Sequence, residues 1–161
     1  MKINATSLLS LSVIAVSTLF FSTSCKKSSS APSTGISASI NGTAFTPAQV
    51  LAFDYQGGIQ ITGYKVTGTD SSIVYVQFDD TVSLNKTIDI SGITDGEVTW
   101  TDKSVNYDSW NALSHGTLTV TSIDKTNKKV AGTFSGVFYD FSAQDSVKVT
   151  GGTFSSAYVT P

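Results

Sequence analysis

The chain contains no arginine, one cysteine, one histidine and one glutamate. Each scarcity removes a class of function. Arginine is the planar fork that grips phosphate and carboxylate in two-point contacts. Its absence, with only ten lysines and a formal net charge of −2, leaves no basic stripe for nucleic acid. One histidine cannot build a histidine-rich metal site. One cysteine cannot form an internal disulfide, and if that thiol is spent elsewhere the chain has no thiolate for zinc, nucleophilic attack or redox exchange. No cofactor is implied. Eleven of the twelve acidic residues are aspartate, a residue that favours turns over element interiors.

The one cysteine has a particular address. Lys2 supplies an early positive charge, and residues 8–21 form an uncharged apolar run with interleaved serines. That run is shorter than the roughly 20 apolar residues of a membrane-spanning helix. Charge, short apolar middle and small residues together read as a secretory signal. Ser22, Thr23 and Ser24 lead directly into Cys25. The stretch "STSC" resembles the loose lipidation box of Bacteroidetes lipoproteins, with Ser22 where the commoner pattern has an aliphatic residue. The resemblance implies a signal peptide over 1–24, lipidation of Cys25 and membrane attachment. Acylation gives about 0.8 kcal/mol per buried CH₂, and two chains make the anchor stable. Residues 25–35 carry the anchor and a Ser/Gly-rich stretch without large apolar side chains, a flexible tether. In the resembled lipoproteins acidic residues after the cysteine go with surface display. Lys26 and Lys27 stand here instead, so the expected location is the periplasm-facing side of the outer membrane.

Residues 36–161 have the size of one domain, about 100–150 residues. Period-two alternation recurs through them, and it predicts strands. Ile36, Ala38 and Ile40 share a face, Asn41-Gly42 is a turn signal, and Thr43–Thr46 is a short return. Leu51, Phe53 and Tyr55 alternate next, then Gly57-Gly58 breaks the run. Residues 59–66 and 73–78 read as strands around a turn at 67–71, followed by 86–91 and 97–102, with Val98 and Trp100 on one face. The clearest unit is a hairpin at 116–140. Pairing Asp124 with Lys128 around a three-residue loop sets Val120 opposite Gly132 and Leu118 opposite Phe134. Gly132 and Gly136 beside phenylalanines predict rings over bare backbone on a curved sheet. In the last strand the apolar parity switches across Gly151-Gly152, from Val147 and Val149 to Phe154 and Tyr158, which predicts a bulge. The best helical candidate, 108–114, offers a turn or two. The expected fold is all-β: an antiparallel meander of about nine or ten strands closing as a sandwich or barrel, with a lipocalin-like calyx as the alternative closure.

Three blocks, "ISASINGTAF", "GTLTVTSIDKTNKKVAGTFSG" and "VTGGTFSSAYV", resemble in order a group of Bacteroidetes lipoproteins of unknown function. The resemblance implies an all-β secreted domain and no activity.

The candidate chemistry is sparse. Ser114-His115 are adjacent, and neighbours in extended chain point to opposite sides, which separates nucleophile from base. Glu97 alternates outward from Val98 and Trp100 and has no glutamate partner. Asp79 and Asp80, with Asp70, Asp102 and Asp108, lie in or beside loops, where oxygen ligands suit calcium, but no EF-hand spacing is present. Asp79 and Asp80 are the best of these candidates. The aromatic cluster is richer: Tyr107 and Trp110, with Asp108 and Asn111, would stack on a sugar ring and bind its hydroxyls, while Trp100 belongs to the core. The sequence thus predicts a lipid-anchored, non-catalytic envelope module. It would act as a binding or structural accessory module, with a glycan or an envelope protein as partner; a carbohydrate-binding module using Trp110 and Tyr107 and a carrier of a small apolar ligand are the alternatives.

Overall fold

The computed structural model describes residues 35–92 and 95–161. The expected signal peptide, Cys25 and the expected tether as far as residue 34 lie outside them. The described residues form eleven strands and no helix: β1 Gly35–Ile40, β2 Thr43–Phe45, β3 Gln49–Tyr55, β4 Gly58–Thr67, β5 Asp70–Asp79, β6 Thr87–Asp89, β7 Gly96–Asp102, β8 Val105–Asp108, β9 His115–Asp124, β10 Lys129–Asp140 and β11 Ser146–Ala157. The all-β expectation holds, with one or two strands more than the sequence suggested.

The extra strand lies next to the segment read as helical. Tyr107 pairs with Trp100 and Asp108 with Thr99, so β8 continues the ladder of β7. Asp108 then turns the chain, because its Oδ1 accepts from the backbone N–H groups of Trp110 and Asn111 at 2.8 and 3.0 Å. Such bonds to the second and third following amides could cap a helix, but the chain makes only one further turn, Ser114 N–H donating to the Asn111 carbonyl at 2.9 Å, before β9 begins at His115.

The strand path runs β2-β1-β11-β10-β8-β7-β5-β4-β3. β9 shares with β8 the second edge of β10, and β6 extends β9. All these pairings are antiparallel. The path does not close into a ring. Beyond β11, Val159 makes one parallel bridge to Phe53, with Asp54 N–H donating to the Val159 carbonyl at 2.8 Å and Val159 N–H to that of Ala52 at 3.1 Å.

The sheet folds back on itself, so its inner face is the core. Ile36, Leu118, Val120, Val130, Phe134, Phe138 and Phe154 come from β1, β9, β10 and β11; Ile59, Ile61, Val74, Val76, Phe78, Val98 and Trp100 come from β4, β5 and β7. Phe78 stacks on Phe154 with ring centroids 5.6 Å apart, and Phe45 meets Trp100 edge-on at 5.0 Å. Burying each of these aliphatic or aromatic side chains contributes about 1.5–3 kcal/mol. The rings lie over glycines, as the sequence predicts. A Cβ on Gly152 would stand 2.6 Å from the Phe134 ring, and one on Gly136 would stand 2.7 Å from that of Phe138.

Two registers needed the structure. In the β9–β10 hairpin, Asp124 pairs with Lys129 rather than Lys128. A register shift between Ala131 and Gly132 then restores Val120 opposite Gly132 and Leu118 opposite Phe134. The loop therefore has four residues, and Lys128, not Asn127, takes the left-handed conformation. Asn127 is instead tied to the Asp124 carboxylate through its N–H at 2.9 Å and its Nδ2 at 2.7 Å. In β3 the apolar trio Leu51, Phe53 and Tyr55 faces outward, because Ala52 lies opposite the buried Ile61 and takes the inner position.

Candidate functional site

The outer face of β3, β4, β5 and β7 carries a cleft of about 470 Å³. Its floor follows from register. Gln60 of β4 lies opposite Gln77 of β5, which lies opposite Glu97 of β7. All three sit at positions that alternate with core residues, so they project from the outer face and are half-buried. Gln60 Nε2 donates to Gln77 Oε1 at 3.1 Å, and the Tyr75 hydroxyl donates to the same oxygen. The Thr99 hydroxyl donates to one oxygen of Glu97 at 3.0 Å. The amide nitrogen of Gln77 and the second carboxylate oxygen of Glu97 make no hydrogen bond among the described residues, so both are open to a ligand.

Two aromatic side chains flank this floor. Tyr55 is 57% exposed and Trp110 is 53% exposed. Tyr55 precedes a two-residue turn in which Gln56 and Gly57 both have positive φ, 54° and 84°. That is the hairpin geometry matching strand twist. Gln56 Nε2 donates to the Tyr55 hydroxyl at 3.1 Å. Trp110 is presented by the Asp108 turn, and that turn is pinned to the end of β10 by Asn111 Nδ2 donating to the Asp140 carbonyl at 2.7 Å.

Electrostatics follow from partial burial. Burial pushes the Glu97 carboxyl above its ordinary value, the Thr99 hydrogen bond opposes that, and the charge of Asp108 adds to it. The Tyr75 phenol is pushed up to about 12, first by burial and then by the Glu97 charge. Asp79 lies at the end of the cleft and is held below the usual carboxylate range, chiefly by the Thr81 hydroxyl and then by its N–H. No lysine lines the cleft.

The residues nominated from sequence separate here. Trp110 lies in the cleft. Tyr107 is 8% exposed and belongs to the core, its hydroxyl donating to Asp145 Oδ2 at 3.0 Å. It lines a different cavity, so the two rings do not share a site. Asp108 Oδ1 and both polar side-chain atoms of Asn111 hold the chain around Trp110 in place, and neither residue lines the cleft. Tyr55, Gln60, Gln77 and Glu97 were not nominated together; their signal was the outward parity opposite Ile59, Ile61, Val76 and Val98. Of the calcium candidates, Asp79 is engaged by Thr81, and Asp80 pairs with Lys125 Nζ at 2.7 Å. Among the described residues no group of three or more His, Cys, Asp or Glu is placed to hold a metal ion. Ser114 is buried; its hydroxyl donates to the Asp108 carbonyl at 2.7 Å and accepts from Tyr139 N–H at 2.8 Å. His115 is exposed. Comparison with known proteins finds no matching family model, no similar curated protein and no similar solved structure.

Proposed function

We propose that the protein is a non-catalytic, carbohydrate-binding module of the cell envelope, held to the membrane by lipid on Cys25. The observation that carries the binding half is the cleft itself, with Tyr55 and Trp110 on either side of a Gln60–Gln77–Glu97 floor. A sugar ring has apolar C–H faces and a rim of hydroxyl pairs. Aromatic faces suit the first. Side-chain amides and carboxylates suit the second, because they offer donors and acceptors side by side. Carboxylates without a lysine select neutral glycans over acidic ones, since a uronate would meet like charge. The cleft is a ligand site of ordinary size, within about 300–1,000 Å³. Trp110 remains from the aromatic pair that the sequence nominated, and Tyr55 takes the place of Tyr107.

The non-catalytic half rests on chemistry already committed elsewhere. Glycoside hydrolysis needs two carboxyl groups with separate roles. Three carboxyl groups line the cleft: Glu97 is half-buried in its floor, the Asp79 carboxylate is occupied in holding the turn at Thr81, and Asp95 is exposed in the loop before β7. The membrane half rests on the lipoprotein-like stretch at 22–25 and the lipid chemistry it implies.

Binding to an array of neutral oligosaccharides tests the reading. Trp110→Ala and Tyr55→Ala should each weaken retention at least about tenfold, a loss near 1.4 kcal/mol, with no release of reducing ends in either protein. Retention that is unchanged in both variants removes the cleft from the function. Mass spectrometry of the N-terminal peptide tests the anchor; an unmodified thiol on Cys25 ends that part.

A further inference from the structure

The inner face of the sheet does not end the same way on both sides. At one end its inward rows finish in buried apolar residues, Ile59 on β4 and Phe78 on β5. At the other end the same rows turn polar while keeping their parity. After Ile61 and Gly63 on β4 comes Lys65, before Val74 on β5 comes Ser72, and after Trp100 on β7 comes Asp102. These side chains line a cavity of about 370 Å³ whose apolar surface includes Phe45, Trp100 and Val147. Polar residues at inward positions break the pattern that builds a core, and such breaks concentrate at functional sites.

The carboxylates here are fixed. Asp145 accepts from the Tyr107 hydroxyl at 3.0 Å and from Ser146 N–H at 2.7 Å. Asp102 Oδ1 accepts from the Ser72 hydroxyl at 3.0 Å. A carboxylate has about four acceptor positions, so both retain capacity. Lys65 faces the same cavity without pairing with either; the ion pairs among the described residues are Lys103–Asp70 and Lys125–Asp80. The lining therefore has two oriented acceptors, one unpaired lysine and an aromatic surface.

We infer that this cavity is a second ligand site, separate from the outer cleft, and that it takes a small organic ammonium ion with an apolar body. The ammonium sits between Asp102 and Asp145 beside the aromatic rings, where ring quadrupoles attract cations. The body lies on Phe45, Trp100 and Val147. The ammonium has two sources, a simple amine or an amino acid whose carboxylate Lys65 would meet.

Two-dimensional NMR titration of the protein tests this with phenethylamine, phenethyl alcohol and phenylalanine as probes. The amine should shift the Trp100 indole N–H saturably and leave that of Trp110 in place, with the alcohol at least about tenfold weaker. Phenylalanine binding more tightly than phenethylamine, with the advantage lost in Lys65→Met, assigns the amino-acid source; equal binding assigns the simple amine. Asp102→Asn keeps an acceptor for Ser72 and should weaken the amine about tenfold. Ala44→Trp, at an exposed cavity-lining strand position, should block it by bulk. No saturable shift at millimolar amine, an alcohol that binds equally well, or full affinity in either variant overturns the inference. Failure here leaves the outer cleft untouched, since the two sites share no residue.

Discussion

Gly132 shows how much one hydrogen in place of a methyl carries. A Cβ there would lie 2.5 Å from the Thr119 carbonyl and collide with the Phe154 ring. Neither can retreat, because the carbonyl belongs to the neighbouring strand and the ring stacks on Phe78 at 5.6 Å. Gly132→Ala should cost about 2–3 kcal/mol, an overpacking penalty, seen as a lower urea midpoint at unchanged slope. An unchanged midpoint would mean that the ring has room to move. The sequence announced a ring over bare backbone here, because glycine alternates with phenylalanine in β10, but not that the ring would be Phe154 of β11. It did not announce the burial of Tyr107, since that depends on where β8 begins. Glu97 gives a second prediction at this scale. Its folded-state pKa is raised, so the stability it contributes is complete below its ordinary value of 4.5 and is lost as pH rises through the folded value. Glu97→Gln removes that loss. The melting temperature of the variant relative to the parent should therefore rise as pH is taken from 4 upward, and a flat difference would contradict the assigned cause.

Among the elements, the edges of strands were harder to read than their centres. The parity of β1, β4, β5 and β7 was legible because their apolar residues alternate with polar ones. β3 was not, because its larger apolar residues sit on the outer face and its inner position is filled by Ala52. Pairing with Ile61 decides that, and pairing is not written in β3 alone. The β9–β10 register was legible away from the loop and shifted beside it, since a bulge absorbs one residue without turning the aromatics outward. The parity switch in β11 was legible and has a local cause: Gly151 has φ +58° at the register break against Ser37–Ser39 and Phe134–Gly136. No atom lies within 4 Å of a Cβ placed there. Only the left-handed backbone resists substitution, so Gly151→Val should cost about 1–2 kcal/mol and Gly151→Asn distinctly less. Equal costs by chemical denaturation would point to packing instead.

For the whole molecule, the open sheet folded on itself separates two kinds of surface. The outer face of β3 to β7 offers the Tyr55–Trp110 cleft, and the inner face opens at its polar end onto the Asp102 cavity. The sequence supplied Trp110 and the scarcity of catalytic groups. It could not supply Tyr55 as the partner ring, because residues 55 and 110 come together only through the pairings β3–β4, β4–β5, β5–β7 and β7–β8. The most direct test of the account is NMR titration with a neutral oligosaccharide retained on the array. The account predicts shifts at the side-chain amides of Gln60 and Gln77, the ring of Tyr55 and the indole of Trp110, with the Trp100 indole unmoved. Shifts confined to Trp100 and its neighbours, or the absence of any neutral glycan that moves the Trp110 signal, would contradict it.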